Sequence, residues 1–258
     1  MRASDSTPIP RALNWLLGFD TAGVTKPQLF SCSDGQERVL KLPGLAPGSA
    51  LAADWCGSLL AVELEIPTPP PSLVRIDGAA LETMPRNRDV AKAGFGFGTN
   101  YISQAAPVTG IASIVGCSNH AAVLSRLAVL DCWIDIPDRM QPDPGRNLLI
   151  SSGGGRTELV AIDFGMGFAG ALYPLLGGGD PERDMHEPLV PEVRHLVDPR
   201  IAASAIRSVE ETTEAEVIRM VSSCPDEWVD DETRGRMMRY LMSRQPLVRS
   251  CIEAWIDG

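Results

Sequence analysis

A chain of 258 residues with 44% hydrophobic and 22% charged residues has the composition of an ordinary globular protein, long enough for one large domain or two lobes. Its formal charge of −10 disfavours direct nucleic-acid binding, which needs a basic face against phosphates. No apolar run approaches a membrane span, and the opening MRASDSTPIP lacks the apolar core of a signal peptide, so a cytoplasmic protein without membrane contact is expected. Six cysteines, Cys32, Cys56, Cys117, Cys132, Cys224 and Cys251, are scattered without a C-x-x-C pair and read as reduced, mostly buried thiols rather than a zinc site. His120, His186 and His195 are too dispersed for a metal cluster and read as surface or packing residues.

The first apolar run, Ala12 to Phe19, ends in Asp20-Thr21-Ala22-Gly23-Val24-Thr25. Gln28 to Cys32 and Glu37 to Leu42 then read as strands around the turn Ser33-Asp34-Gly35, with Lys41 on the later strand. Ala50 to Glu65 reads as a helix that stops before Pro67 and the Pro69-Pro70-Pro71 run, with Glu63 and Glu65 toward solvent. Val74 to Ile76, Ala79 to Leu81 and Gly96 to Ile102 are expected as strands, followed by a hinge near Ser103 to Pro107.

Ser118 is a plausible N-cap for a helix running to about Trp133, buried through Val123, Leu127, Leu130 and Ile134 with Leu124, Ala128 and Cys132. The loop after it carries Asp138, Arg139, Asp143 and Asn147. Two apolar runs follow, Leu148 to Ile150 and Leu159 to Ile162, around Gly153-Gly154-Gly155, the pattern of an antiparallel hairpin. A turn centred near Gly155 would set Asn147 opposite Asp163. An amide oxygen and carboxylates converging there suit Mg²⁺ better than zinc. Ordinary turn chemistry explains Asp-Pro-Gly-Arg-Asn and the glycine run separately, but not their order.

Residues 169–199 are rich in Gly and Pro and read as a long loop. The remainder is helical. Thr213 and Glu216 form a capping-box pattern, Asp230 precedes a face of Met237, Met238, Leu241 and Met242, and a last helix from Leu247 to Ile256 buries Ile252 and Trp255.

The order Asp, Asn, glycine-turned hairpin, Asp-Phe-Gly is similar to the catalytic core of the protein-kinase-like fold, and the frame WIxxPDR…NLLI…AIDFG resembles the HipA-like kinases, bacterial relatives of the serine/threonine kinases. The motif match is densest from Trp133 to Gly165. The segment between Asp138 and Asn147 is longer than the about four intervening residues of eukaryotic-type kinases. Asp143 lies nearer to Asn147, but Asp138 heads the Pro-Asp-Arg tripeptide that the resemblance marks as catalytic.

The resemblance implies an α+β, two-lobed fold with a β-rich N-lobe at residues 1–105 and a mainly helical C-lobe at 106–258, holding ATP between them. It gives Lys41 the role of gripping nucleotide phosphates, the other reading being an edge-strand lysine that guards against aggregation, and Asp54 that of the acidic helix residue that holds this lysine. The Asp20 to Thr25 loop would cover the phosphates through Thr21, Gly23 and Thr25, although it holds a single glycine; Thr21 or Thr25 is a candidate for autophosphorylation. Asn147 and Asp163 would bind Mg²⁺ and Asp138 would take or position the acceptor proton. The implied activity is transfer of the γ-phosphate of ATP to a serine or threonine of a protein, in a family whose members include growth-arresting toxins, with a cognate antitoxin or neighbouring small protein as a possible partner. Two alternatives stay open: a small-molecule kinase like the aminoglycoside phosphotransferases, and a pseudokinase acting as an interaction module.

Overall fold

The computed structural model describes residues 8–18, 25–139, 146–172 and 188–258, which form an α+β chain. They divide into two compact units, one drawn from residues 1–51 and 71–101 and the other from 52–70 and 102–258.

The first unit is organised on an antiparallel sheet. Strands β1 (Ala12–Gly18), β2 (Gln28–Cys32) and β3 (Glu37–Lys41) run as a meander, and the β2 to β3 turn uses Gly35 at φ +80°. Arg38 clamps that turn by donating to both carboxylate oxygens of Asp34, at 2.7 and 2.6 Å. Helix α1 (Gly48–Glu63) is rich in Ala and Leu; its first residues belong to this unit and its remainder to the second. It stops where Glu65 turns left-handed at φ 52° and the Ile66 N–H bonds the Ala61 carbonyl at 2.8 Å, just ahead of Pro67. Glu63 and Glu65 are exposed, as expected.

Strand β4 (Pro71–Ile76), helix α2 (Gly78–Glu82) and strand β5 (Gly94–Asn100) complete the unit, giving a five-stranded sheet in the order β1-β2-β3-β5-β4. One face buries Phe30, Cys32, Leu40, Val74 and Ile76 against Leu42, Leu81 and Met84. The expected strand from Ala79 to Leu81 is corrected to a helix. Asp77 accepts the Ala80 N–H at 3.0 Å, so a local N-cap overrides a three-residue apolar run.

The second unit holds a three-stranded sheet of β6 (Ala105–Pro107), β7 (Leu148–Gly153) and β8 (Arg156–Ala161), with α3 (Ile111–Val115) and α4 (His120–Ile134) between the first two strands. From Val123 to Ile134 every α4 residue except Arg126 is buried. After α5 (Ala169–Leu172) come α6 (Pro199–Glu211), α7 (Glu214–Ser222), α8 (Asp231–Arg244) and α9 (Val248–Asp257), and α4 packs on α6, α8 and α9. The N-cap of α4 is Asn119 rather than Ser118. Both residues instead extend the edge of β8: the Ser118 N–H reaches the Thr157 carbonyl at 2.9 Å, and the Asn119 amide exchanges bonds of 3.1 and 2.7 Å with the Leu159 backbone. The capping box at α7 forms as expected, and Asp230 caps α8 through the Thr233 N–H at 2.8 Å. Met237 and Leu241 enter the core, as do Val248, Ile252 and Trp255 of α9.

Candidate active site

The hairpin closes through Gly154 and Gly155, at φ +57° and +76°, the left-handed pair that a two-residue hairpin turn requires. Its register, Gly153 with Arg156 through Leu148 with Ala161, corrects the expected facing of Asn147 and Asp163 by one residue. The turn is centred between Gly154 and Gly155 and not on Gly155. The Asn147 carbonyl therefore accepts the Ile162 N–H at 3.0 Å, and Asp163 is the next residue beyond the ladder. Asn147 and Asp163 both turn left-handed there, at φ 63° and 58°. Asn and Asp tolerate that region better than other side chains, and such backbone clusters at functional sites.

Asp138 reaches the same hairpin end from the loop after α4. Its Oδ2 receives the Asn147 amide at a long 3.5 Å and faces the Arg146 guanidinium at 3.5 Å. Its Oδ1 is buried and has no hydrogen-bond partner among the described residues. The amide nitrogen of Asn147 faces Asp138, so the amide oxygen is the atom of this side chain that could hold a metal. Asp143 lies outside the described residues.

The Asp163-Phe164-Gly165 segment is seated on α1. Asp54, fully buried, accepts the Phe164 N–H at 2.9 Å. A Cβ on Gly165 would come within 2.9 Å of Asp54 Oδ2 and 3.3 Å of Asp163 Oδ1, so any side chain there would push against two carboxylates. A Cβ on Gly57 would meet the Phe164 Cβ at 2.5 Å, so α1 must be bare where the ring lies. The Gly165 N–H also donates to Asp163 Oδ1 at 3.3 Å.

Lys41 belongs to the first unit, where it is buried at the end of β3 and pairs in register with Phe97. Thr25 is half-buried just before β2, whereas Thr21 and Gly23 lie outside the described residues. Within the second unit Asp54, Asp138, Asn147 and Asp163 converge on the hairpin end.

Sequence reasoning assigned no role to Arg139 and overlooked Asp131. The Arg139 side chain is fully buried; its Nε donates to Asp131 Oδ2 at 2.5 Å and its guanidinium lies 4.8 Å from the Phe164 ring centroid. Burial pushes the Asp131 carboxyl up to about 7, against the pull of Arg139 and with a smaller push from the Asp138 charge. The available signal was one acid in an otherwise apolar helix face, eight residues before an arginine.

Asn147 and Asp163 offer hard oxygen donors that fit Mg²⁺ or Mn²⁺, which take phosphate and water oxygens as their other ligands. Among the described residues no group of three or more His, Cys, Asp or Glu is gathered into a complete protein cage for a metal. The model of the HipA-like kinase family matches residues 17–245. The chain belongs to the HipA-like kinase family. A HipA-like kinase is a kinase-like phosphotransferase, and such a family points to nucleotide and metal use.

Solved structures show the fold of this HipA-like kinase. The proinflammatory kinase CtkA of Helicobacter pylori matches with a TM-score of 0.60 at 8% identity, over 97% of this chain and 99% of that one. The Golgi casein kinase with Mn/ADP bound matches with a TM-score of 0.54 at 11% identity, over 95% of this chain and 74% of that one. HipA of Shewanella oneidensis MR-1, in a complex of a toxin–antitoxin system with HipB and operator DNA, matches with a TM-score of 0.53 at 8% identity, over 93% of this chain and 67% of that one. No curated protein matches the sequence. The fold is α+β and protein-kinase-like. Among the described residues no helix is long and apolar enough to cross a membrane.

Proposed function

We propose that this HipA-like kinase transfers the γ-phosphate of ATP to a serine or threonine hydroxyl of a protein. The observation that carries the reading is the Asp138 carboxylate, whose Oδ1 is buried without a partner among the described residues while its Oδ2 faces Asn147. A desolvated carboxylate oxygen is ready to accept a hydrogen bond from an acceptor hydroxyl.

In the proposed reaction the hydroxyl oxygen attacks the γ-phosphorus, the bond from that phosphorus to the β,γ-bridging oxygen breaks, ADP leaves, and the acceptor proton passes to Asp138 Oδ1. Asn147 and Asp163 would hold Mg²⁺, and the ion would supply charge neutralisation for the transferring phosphates. Lys41 steadies the phosphates, and Thr21, Gly23 and Thr25 are the further residues assigned to contact them. Asp54 fixes the Phe164 N–H and so the direction in which Asp163 points. Positioning and charge neutralisation supply the catalysis. A small antitoxin-like protein is the proposed partner, by analogy with HipA and HipB.

Phosphate incorporation from labelled Mg-ATP, into the chain itself and into a cell-extract proteome, tests this reading. Activity should fall to background in Asp163→Ala and in Asp138→Ala, with phosphoserine or phosphothreonine as the product. Undiminished transfer in Asp163→Ala overturns the metal assignment. Transfer to a small cationic molecule with no labelled protein would move the enzyme to the aminoglycoside-type alternative, and no transfer by the wild-type chain would make it a pseudokinase.

A further inference from the structure

We propose that Arg139 is a positioning residue for the metal-binding pair: anchored on Asp131 of α4, its guanidinium fastens the peptide units that carry Asn147 and Asp163. The inference rests on the reading that those two side chains hold the metal.

Three segments meet at this one side chain. Nε donates to Asp131 Oδ2 at 2.5 Å, on the helix before the catalytic loop. Nη1 donates to the Asn147 carbonyl at 3.2 Å, where β7 begins, and to the Ile162 carbonyl at 3.1 Å, just past the end of β8. The Ile162 carbonyl belongs to the peptide whose nitrogen is that of Asp163, so the bond orients the plane from which the Asp163 side chain springs. The guanidinium also lies over Phe164, 4.8 Å from its ring centroid, and so meets the residue after Asp163 as well.

The chemistry of the group matches this task. A guanidinium presents several N–H donors in a fixed planar fork and can serve acceptors on separate segments at once, whereas an ammonium is a point donor. Burying the Asp131 and Arg139 side chains completely is costly, and an apolar pair of similar volume would fill the space at least as favourably. The arrangement is incompletely satisfied even so: Asp131 Oδ1 and Arg139 Nη2 are buried without hydrogen-bond partners among the described residues. Core filling does not account for an ionic pair on these terms. Holding two left-handed residues at fixed directions does, because metal ligands must keep their places to about 0.5 Å. Arg139 also directly follows Asp138, so the anchor on Asp131 fixes the proton acceptor in the same frame.

The test is Mn²⁺ binding in the presence of ADP, read from the spectrum of free Mn²⁺, with ADP binding in a chelator measured alongside. Arg139→Lys should lose affinity for Mn²⁺ by about ten-fold or more, the usual scale for residues that orient metal ligands, and should keep metal-free ADP binding. Val209→Ala, which hollows the core under α6, supplies a destabilised control that should keep Mn²⁺ affinity. Wild-type Mn²⁺ affinity in Arg139→Lys, or an equal loss in the Val209→Ala control, overturns the proposal. Should Arg139→Lys not fold, Asp131→Asn replaces the anchor's carboxyl by an amide and leaves both carbonyl bonds available; weakened Mn²⁺ binding supports the proposal and unchanged binding overturns it. Asp163→Ala separates the two levels. Lost Mn²⁺ binding there with none lost in Arg139→Lys defeats the positioning role alone, whereas wild-type binding in Asp163→Ala removes the metal assignment and the proposal with it.

Discussion

Asp131 is a buried residue whose protonation couples folding to pH. Its folded carboxyl is raised to about 7 by burial, although Arg139 pulls it down, while in an unfolded chain an aspartate titrates near ~3.9. Between those values the folded state keeps a proton that the unfolded chain has released, so stability is lost as pH rises. Chemical denaturation from pH 4 to 8 should therefore show wild type losing stability relative to Asp131→Asn as pH rises toward about 7, with a constant difference above it. A flat difference would show that Asp131 is ionised throughout. At Gly57 the argument is steric. The Phe164 Cβ stands 2.5 Å from where an alanine Cβ would be, and the near end of a ring cannot swing aside as a long side chain can. Gly57→Ala should lower stability by ~1–3 kcal/mol in thermal denaturation and reduce phosphate transfer with it.

Elements whose signals are local were the legible ones. The capping box at Thr213 and Glu216, the Asp230 cap, the stop of α1 and the position of Lys41 on β3 follow from residues a few positions apart. Thr213→Ala should cost about 1 kcal/mol, seen as a lower midpoint in urea, and leave phosphate transfer unchanged because α7 carries no proposed site residue. Signals with a long-range competitor were misread. Ser118 suits an N-cap by type, yet the open edge of β8 takes its N–H; the Ala79 to Leu81 triplet was misread for a local reason, the Asp77 cap that makes it a helical turn. The hairpin was legible in kind but not in register, since three consecutive glycines permit more than one turn centre and the strand ladder selects among them.

At the scale of the whole molecule, six free cysteines and a kinase-like fold agree with the composition. Cys56 and Cys224 lie 3.5 Å apart and buried, and their mutual hydrogen bond together with burial pushes the Cys56 thiol well up. Cys251 differs: it is half-buried, and hydrogen bonding from Cys132 with the Arg244 charge lowers its thiol against the effect of burial. Thiol titration of the native chain should modify Cys251 alone at an early stage, and all six only in denaturant. Fast modification of a second thiol in the native protein would contradict the burial of the other five.

From its order of residues alone, the chain determined the family and the cluster of Asp138, Asn147 and Asp163, because a loop and a hairpin bring residues close in sequence to one place. Tertiary structure decided what holds that cluster. Asp54 meets the Phe164 N–H across 110 positions, and Arg139 joins a helix to two strand ends. Such pairings depend on where whole elements pack, and neither propensity nor spacing carries that information. A buried charge finds its partner only when the surrounding core has excluded water.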